Sequence, residues 1–304
     1  MKLLDVIKKA SSTRWDLAFI DEDFESIISC KTIHFTKVRN PFAKDYWFAD
    51  PFILDVTNEY IYVLAEAMPS TSSKGVIALL TITHNNMVIT NVEVILEEPW
   101  HLSFPNIMRE GGKIYVYPES AHGKKLYLYE LTENMDHRTT LTRVKTLCDD
   151  IIWDTEINSF FGEPLLFTAH QNDFNLDIYS WNKDMERFEY YESLKSDQQN
   201  MRMAGNLIQH NGKIIYPSQI STPYVYGKAV ELREIKRMNG QWQLHHIRYI
   251  KPPRGLLYRG LHTFNTYKGL TIVDINEYHS IWGVIINKFI EYKKRLRSLW
   301  RRNK

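Results

Sequence analysis

The chain has 304 residues, of which 44% are hydrophobic, 24% charged and 13% aromatic, so disordered and collagen-like classes are excluded and one large or two small domains fit. Its 38 Lys and Arg against 36 Asp and Glu leave a formal net charge of +2, which argues against a nucleic-acid binder acting through its whole surface. Two cysteines, Cys30 and Cys148, make neither a disulfide framework nor a metal-ligand pattern.

From the N-terminus, the first nine residues carry a short apolar run broken by Asp5 and no small-residue cleavage site, unlike a signal peptide. No uncharged apolar run reaches the ~18 residues that a spanning helix needs. The expected location is therefore the cytoplasm. Two strands follow, at 15–20 and 32–38. Then a pattern appears five times: a short apolar stretch, a polar turn, and an alternating strand ending on a polar or acidic residue. The paired stretches are 48–54 with 60–66, 103–108 with 113–119, 153–158 with 164–170, 203–208 with 213–219, and 260–265 with 270–274. Their turns begin near 58, 111, 161, 211 and 267, giving spacings of 53, 50, 50 and 56.

After each of the first four copies come two more strand-like runs, at 75–83 and 92–98, 125–132 and 142–148, 175–181 and 187–194, and 229–235 and 242–250. Four antiparallel strands repeated at about 50 residues read as a propeller blade. The fifth copy lacks these followers, and the two strands at the start of the chain supply them. Strands from both termini closing one blade leave no open sheet edge. The predicted fold is an all-β, five-bladed β-propeller over residues 14–276, followed by a basic amphipathic α-helix over 277–304.

The first strand of each blade lines a propeller's central channel, and its start converges with the end of the second strand on one mouth. That mouth collects Asp50, the 103–105 turn, Asp154, Glu156, Gly205, Asn206 and His262 from first strands, and Glu66, Glu119, His170, Gln219 and Asp274 from second strands. Each has a plain structural account too. Asp50 precedes Pro51 and suits a turn; Glu66 and Glu119 suit blade-to-blade hydrogen bonds; His170 and His262 suit satisfied core positions. Arg202 and Arg259 suit salt bridges to Asp154 or Glu156, and Tyr226-Gly227 suits a turn. Asp154 and Glu156, two apart on a strand, share a side and form a weak candidate pair for a divalent cation. Nothing in the sequence supports zinc, and the reading assigns no cofactor.

Residues 281–304 hold eight Lys or Arg and one Glu. Ile281, Val284, Ile285, Phe289, Tyr292, Leu296, Leu299 and Trp300 recur at three- and four-residue steps. A basic helix with one apolar face suits the headgroup layer of an anionic membrane, and the expectation is peripheral attachment to its inner face. A helix capping the propeller is the plainer account; nucleic acid fits less well, since no basic stripe occurs elsewhere.

Trp47-Phe-Ala-Asp-Pro-Phe52, His101-Leu-Ser-Phe-Pro105, Lys113-Ile-Tyr-Val-Tyr-Pro-Glu-Ser120, Tyr216-Pro-Ser-Gln219, Tyr226-Gly-Lys-Ala-Val-Glu-Leu232, Gly260-Leu-His-Thr-Phe-Asn265 and Val273-Asp274 together resemble the propeller-like N-terminal domain of glucosamine inositolphosphorylceramide transferases over about 45–275. The resemblance implies glycan chemistry in building a cell-surface polysaccharide or glycoconjugate. A more distant likeness links the chain to five-bladed furanosidases and fructosyltransferases. It matches Asp50 and Asp154 to their first- and third-blade acids, while Gly205-Asn206 stand where a fourth-blade general acid is expected.

Three readings follow. The leading one is a glycosyltransferase moving a sugar from an activated, phosphate-linked donor to a glycan or lipid-linked acceptor. Asp50 is its base, Asp154 and Glu119 orient the sugar, and His262 serves as second base or as a hydrogen-bond donor to phosphate. Glu66, Glu156, His170, Gln219, Tyr226 and Asp274 would bind substrate, with Arg202, Lys228 and Arg259, together with Arg233, facing phosphate. The alternatives are a glycoside hydrolase or transglycosidase acting on furanosides, and a non-catalytic glycan-binding propeller.

Overall fold

Period-two apolar alternation puts one face of each strand against the next sheet, and the polar turns between strands are short enough to force antiparallel neighbours. The computed structural model describes residues 12–133, 138–169, 175–195, 201–222 and 225–302, with side chains to 294. The chain opens with β1 (Thr13–Ile20), helix α1 (Phe24–Ser29) and β2 (Phe35–Lys37). Blade one is β3 (Tyr46–Val56), β4 (Tyr60–Pro69), β5 (Val76–Thr83) and β6 (Ile89–Leu96). Blade two is β7 (Ser103–Glu110), β8 (Lys113–Glu119), β9 (Leu126–Glu133) and β10 (Thr139–Cys148). Blade three comprises β11 (Trp153–Asn158), β12 (Leu165–Ala169), β13 (Leu176–Asn182) and β14 (Arg187–Leu194), and blade four β15 (Ile208–His210), β16 (Lys213–Ile220), β17 (Ala229–Met238) and β18 (Gln241–Ile250).

Blade five joins the two ends of the fold. Its innermost strand is split into β19 (Tyr258–Gly260) and β20 (Phe264–Tyr267), both paired to β21 (Leu270–Tyr278). β1 lies against β21, from Thr13 opposite Tyr278 to Ile20 opposite Thr271, and β2 forms the rim. The five-bladed propeller closed by strands from both ends is thus the fold. Helix α2 (Ile281–Arg302) follows β21.

Two local features depart from the expected pattern. Between β1 and β2 the chain forms α1, where Asp23 Oδ1 accepts from Ser26 N at 2.7 Å as an N-cap and Ile27 is fully buried. β15 is short because the preceding backbone is pressed against blade five. Phe264 N donates to Ala204 O at 2.7 Å, and a Cβ on Gly205 would stand 2.0 Å from Phe264 O. Only glycine fits there.

Apolar side chains fill the space between blades. Phe52 of blade one meets Phe104 of blade two edge-to-face at 4.9 Å, both buried, and Phe167 of blade three meets Trp242 of blade four in the same way at 5.6 Å. Each such side chain contributes about 1.5–3 kcal/mol by leaving water. These contacts lock successive blades and hold the central mouth in shape.

Candidate active site

The innermost strands of blades one, two and three share one interruption. The β3–β4 register slips between Ala49 and Phe52, β7–β8 between Ser103 and Asn106, and β11–β12 between Trp153 and Glu156. In each bulge one residue takes a left-handed conformation: Asp50 at φ 49, Phe104 at φ 45 and Asp154 at φ 45. Such bulges re-aim a side chain out of the strand's alternation. Here they turn Asp50 and Asp154 toward the channel axis, where the second strands β4, β8, β16 and β21 bring Glu66, Glu119, Gln219 and Asp274.

His262, in the gap between β19 and β20, joins two of these acids. Its Nδ1 stands 2.8 Å from Asp274 Oδ2 and its Nε2 3.3 Å from Asp50 Oδ1. Asp274 Oδ1 accepts from the backbone N of His262 and Thr263, at 3.0 and 2.9 Å, and Asp274 Oδ2 accepts from Asp50 N at 3.1 Å. Asp50 in turn accepts from Thr263 Oγ1 at 2.7 Å and Phe104 N at 3.2 Å. All three ionisable groups are buried. Burial pushes Asp50 up to about 6; the His262 charge pulls it down, while Asp154 and Asp274 push it further up. Burial also opposes the imidazolium of His262, but Asp274 and Asp50 outweigh it and hold the ring above its ordinary value. Asp274 sits below the usual carboxylate range: His262 and the backbone donors outweigh its burial. The three ligand atoms lie within 4.8 Å of one another and could hold a divalent cation; the same atoms also form a self-sufficient carboxylate–imidazolium–carboxylate bridge.

A second cluster faces the first. Arg202 Nε pairs with Asp154 Oδ2 and its Nη2 with Glu119 Oε2 at 3.2 Å. Gln219 Nε2 donates to Asp154 Oδ2 at 2.7 Å, and Asp154 N donates to Glu119 Oε2 at 3.2 Å. The guanidinium lies over the Trp153 ring at 4.5 Å. Glu66 is met by His101 Nε2 at 3.3 Å, while His101 Nδ1 accepts from Gly75 N at 2.9 Å, which fixes the tautomer that donates to Glu66. Burial, then the neighbouring acids, hold Glu66 well above the usual carboxylate range. Glu119 is likewise raised, by burial and Asp154 against the pull of Arg202.

These groups surround a cavity of about 320 Å³ whose lining includes Asp50, Glu66, Glu119, Arg202, Tyr226 and His262. Asp154, Gln219 and Asp274 lie directly beneath it through the bonds above. Lys228 and Arg259 are not in the lining, contrary to their expected place at the mouth. Arg259 instead reaches Glu291 of α2 at 3.8 Å, and Arg233 is buried in an ion pair with Glu231. Glu156 also parts from Asp154, because the bulge breaks the alternation that would have kept them on one side. It is buried between blades, accepting from Asn106 Nδ2 at 2.7 Å, Leu207 N at 3.3 Å and Tyr117 OH at 3.4 Å. The two therefore do not form the cation pair for which the sequence makes them a weak candidate. His170 lies outside the described residues.

The sequence reading missed the aromatic walls and two histidines of the cavity: Trp15, Trp47, Trp153, His101 and His122 also line it. Trp47 and Trp153 sit within three residues upstream of Asp50 and Asp154, a signal present in the sequence. Trp15 is different, since its ring reaches His262, 4.0 Å between centroids, only through blade closure. Gly227 (φ 59) permits this packing, for a Cβ there would stand 2.6 Å from His262 Cβ and 2.9 Å from the Trp15 ring. A larger groove of about 600 Å³ between blades two and three, walled by Leu128, Leu147, Trp181 and Phe188, contains none of the buried acids.

Among known proteins, glucosamine inositolphosphorylceramide transferase 1 of Oryza sativa subsp. japonica is 25% identical over 200 residues, 62% of this chain and 26% of that protein. The Arabidopsis thaliana protein of the same name is 32% identical over 81 residues, 27% of this chain and 10% of that one. The match thus spans about a quarter of the length of the rice relative. Among solved structures, an exo-β-1,3-galactanase of Phanerochaete chrysosporium with β-1,3-galactotriose superposes with a TM-score of 0.50 at 10% identity, over 74% of this chain and 59% of that one; this likeness concerns the fold alone. Residues 7–248 match the family described as glucosamine inositolphosphorylceramide transferase 1, N-terminal, and the chain belongs to that family.

Proposed function

We propose that the chain is a carbohydrate-active enzyme that acts on a glycosidic bond held in the propeller cavity, as a hydrolase or transglycosidase. Asp50 attacks the anomeric carbon or takes the proton of the attacking hydroxyl. Glu66 gives its proton to the leaving oxygen as the bond to the anomeric carbon breaks. The division of roles follows from environment. Asp50 accepts three hydrogen bonds or ion contacts suited to an anion. Glu66 is kept neutral by burial beside other acids, and its partner His101 is itself held below the ordinary imidazole value by burial and by His122. Trp15, Trp47 and Trp153 offer flat apolar faces for a sugar ring.

The observation that carries this reading is the state of Arg202. Among the described residues it is the one Lys or Arg lining the cavity, and its N–H groups are already engaged by Asp154 and Glu119. A cavity with three acids and a spent guanidinium disfavours a nucleotide diphosphate and suits an uncharged sugar. Family membership favours a second reading, transfer from an activated donor.

The test is release of sugar from a panel of aryl furanosides, aryl pyranosides and oligosaccharides by purified protein, beside a parallel arm of sugar nucleotides with glycan acceptors. Turnover of a glycoside that disappears in Asp50→Asn is the expected result. Turnover confined to the sugar-nucleotide arm would overturn hydrolysis in favour of transfer.

A further inference from the structure

We infer that α2 is a docking face for an anionic lipid bilayer and that it turns the cavity toward that surface. The inference rests on the proposed function in one respect: it makes the glycan acted on a membrane-anchored one. Gly283 and Val284 are buried, and Glu291 is tied to Arg259, so one side of the helix is held to the propeller. On the other side Ile281, Trp282, Ile285, Phe289 and Tyr292 are all exposed, Trp282 by 70% and Phe289 by 58%. At 3.6 residues per turn these five fall within an arc of about 100°. Lys288 and Lys293 flank the arc on its two sides, and Lys293 Nζ lies 4.4 Å from the Phe289 ring centre. Beyond Glu291 the sequence carries seven Lys or Arg and no acid.

An exposed apolar strip edged by lysines and followed by a basic run is complementary to acyl chains beneath anionic headgroups. A second protein copy would bury the strip but leave the positive charge facing itself. Among the described residues no helix is long and apolar enough to cross a membrane, so the helix would lie along the surface.

The orientation follows from the root of the helix. It begins three residues after Tyr278, the end of β21. Trp15, opposite Asn276 on β21, lines the cavity, as does Met68 near the corresponding end of β4. The helix therefore leaves the propeller on the face that bears the mouth.

Co-sedimentation of the full chain with phosphatidylcholine vesicles, with and without phosphatidylglycerol, tests the docking. Binding that requires phosphatidylglycerol, weakens with salt and falls about tenfold or more in Trp282→Ser/Phe289→Ser is expected. No binding at low salt, or self-association that the double variant abolishes in place of lipid binding, would overturn it. Circular dichroism checks that the double variant is folded, and its turnover of a soluble glycoside should equal that of the unaltered chain. Hydrogen exchange on vesicles should protect both α2 and the segments around Trp15 and Trp47; protection of α2 alone would overturn the orientation. Lipid binding without glycoside turnover would count against the catalytic reading and leave the docking face standing.

Discussion

Asp50 and Asp154 occupy the same step of blades one and three, each in left-handed backbone at the bulge of an innermost strand. The repeat thus delivers two acids to one mouth by one backbone device, and each is then given a different partner. Asp50 receives His262 and Thr263; Asp154 receives Arg202 and Gln219. Asparagine is among the residues that tolerate positive φ, so Asp50→Asn keeps the bulge while removing the charge. Its expected effect is a loss of turnover of about 10²–10⁴-fold with the fold retained and some loss of stability, because the amide nitrogen must face one of the donors that Asp50 accepts from. Calorimetry beside a kinetic assay separates this from misfolding.

The position of Asp50 sets a pH profile. A group pushed up to about 6 must lose its proton before it can attack or act as base. Turnover per free enzyme should rise with pH below that value, reaching about a tenth of its plateau one unit lower, and level off above it. It should fall again where Glu66 gives up its proton. A profile flat from acid to neutral pH would remove Asp50 from the reacting pair.

Arg202 serves structure first. It is the cation for two buried carboxylates and lies on the Trp153 ring. Arg202→Met leaves both acids buried without a positive partner, a change that costs about 3–5 kcal/mol when a buried pair is broken from one side. Denaturant unfolding should show that loss. Weakened binding of a sugar nucleotide with unchanged stability would instead mark Arg202 as a phosphate ligand.

The propeller is legible in the sequence because burial repeats. Every blade must place an apolar stretch, a turn and an alternating strand at the same steps, and the interval near 50 residues records that need. Blade closure is legible for the same reason, since a fifth unit without followers and two strands without a unit complete each other. The site is legible only in part. Asp50, Glu119 and Asp154 fall at repeated positions, so alignment of the repeats finds them. Their partners Gln219, His262 and Asp274 also fall at repeated positions, whereas Arg202 lies just upstream of the fourth copy. Arg259 looks like a mouth residue by position, yet its side chain reaches α2, and Glu156 leaves the mouth because a bulge is invisible in a two-residue alternation. Trp15 joins the cavity through a pairing between the two ends of the fold, which no local pattern encodes.

Glu156 offers a prediction about stability alone. Burial between blades pushes it up to about 8, even though Asn106, Leu207 and Tyr117 donate to it and pull the other way. In the unfolded chain the same carboxyl ionises near the ordinary glutamate value of 4.5. Between these values the folded state holds a proton that the unfolded state has released, so stability from this group is present below the lower value and is lost as pH rises toward the higher one. One proton corresponds to a slope of about 1.4 kcal/mol per pH unit. Glu156→Gln cannot ionise, and unfolding free energies measured at several pH values across the window should fall less steeply for it by about that slope. The variant is expected to lose some stability at low pH, where its amide nitrogen faces donors that the glutamic acid oxygen accepts from. Parallel slopes for the two chains would mean that Glu156 is ionised in the folded protein and that an unidentified cation or water supports it.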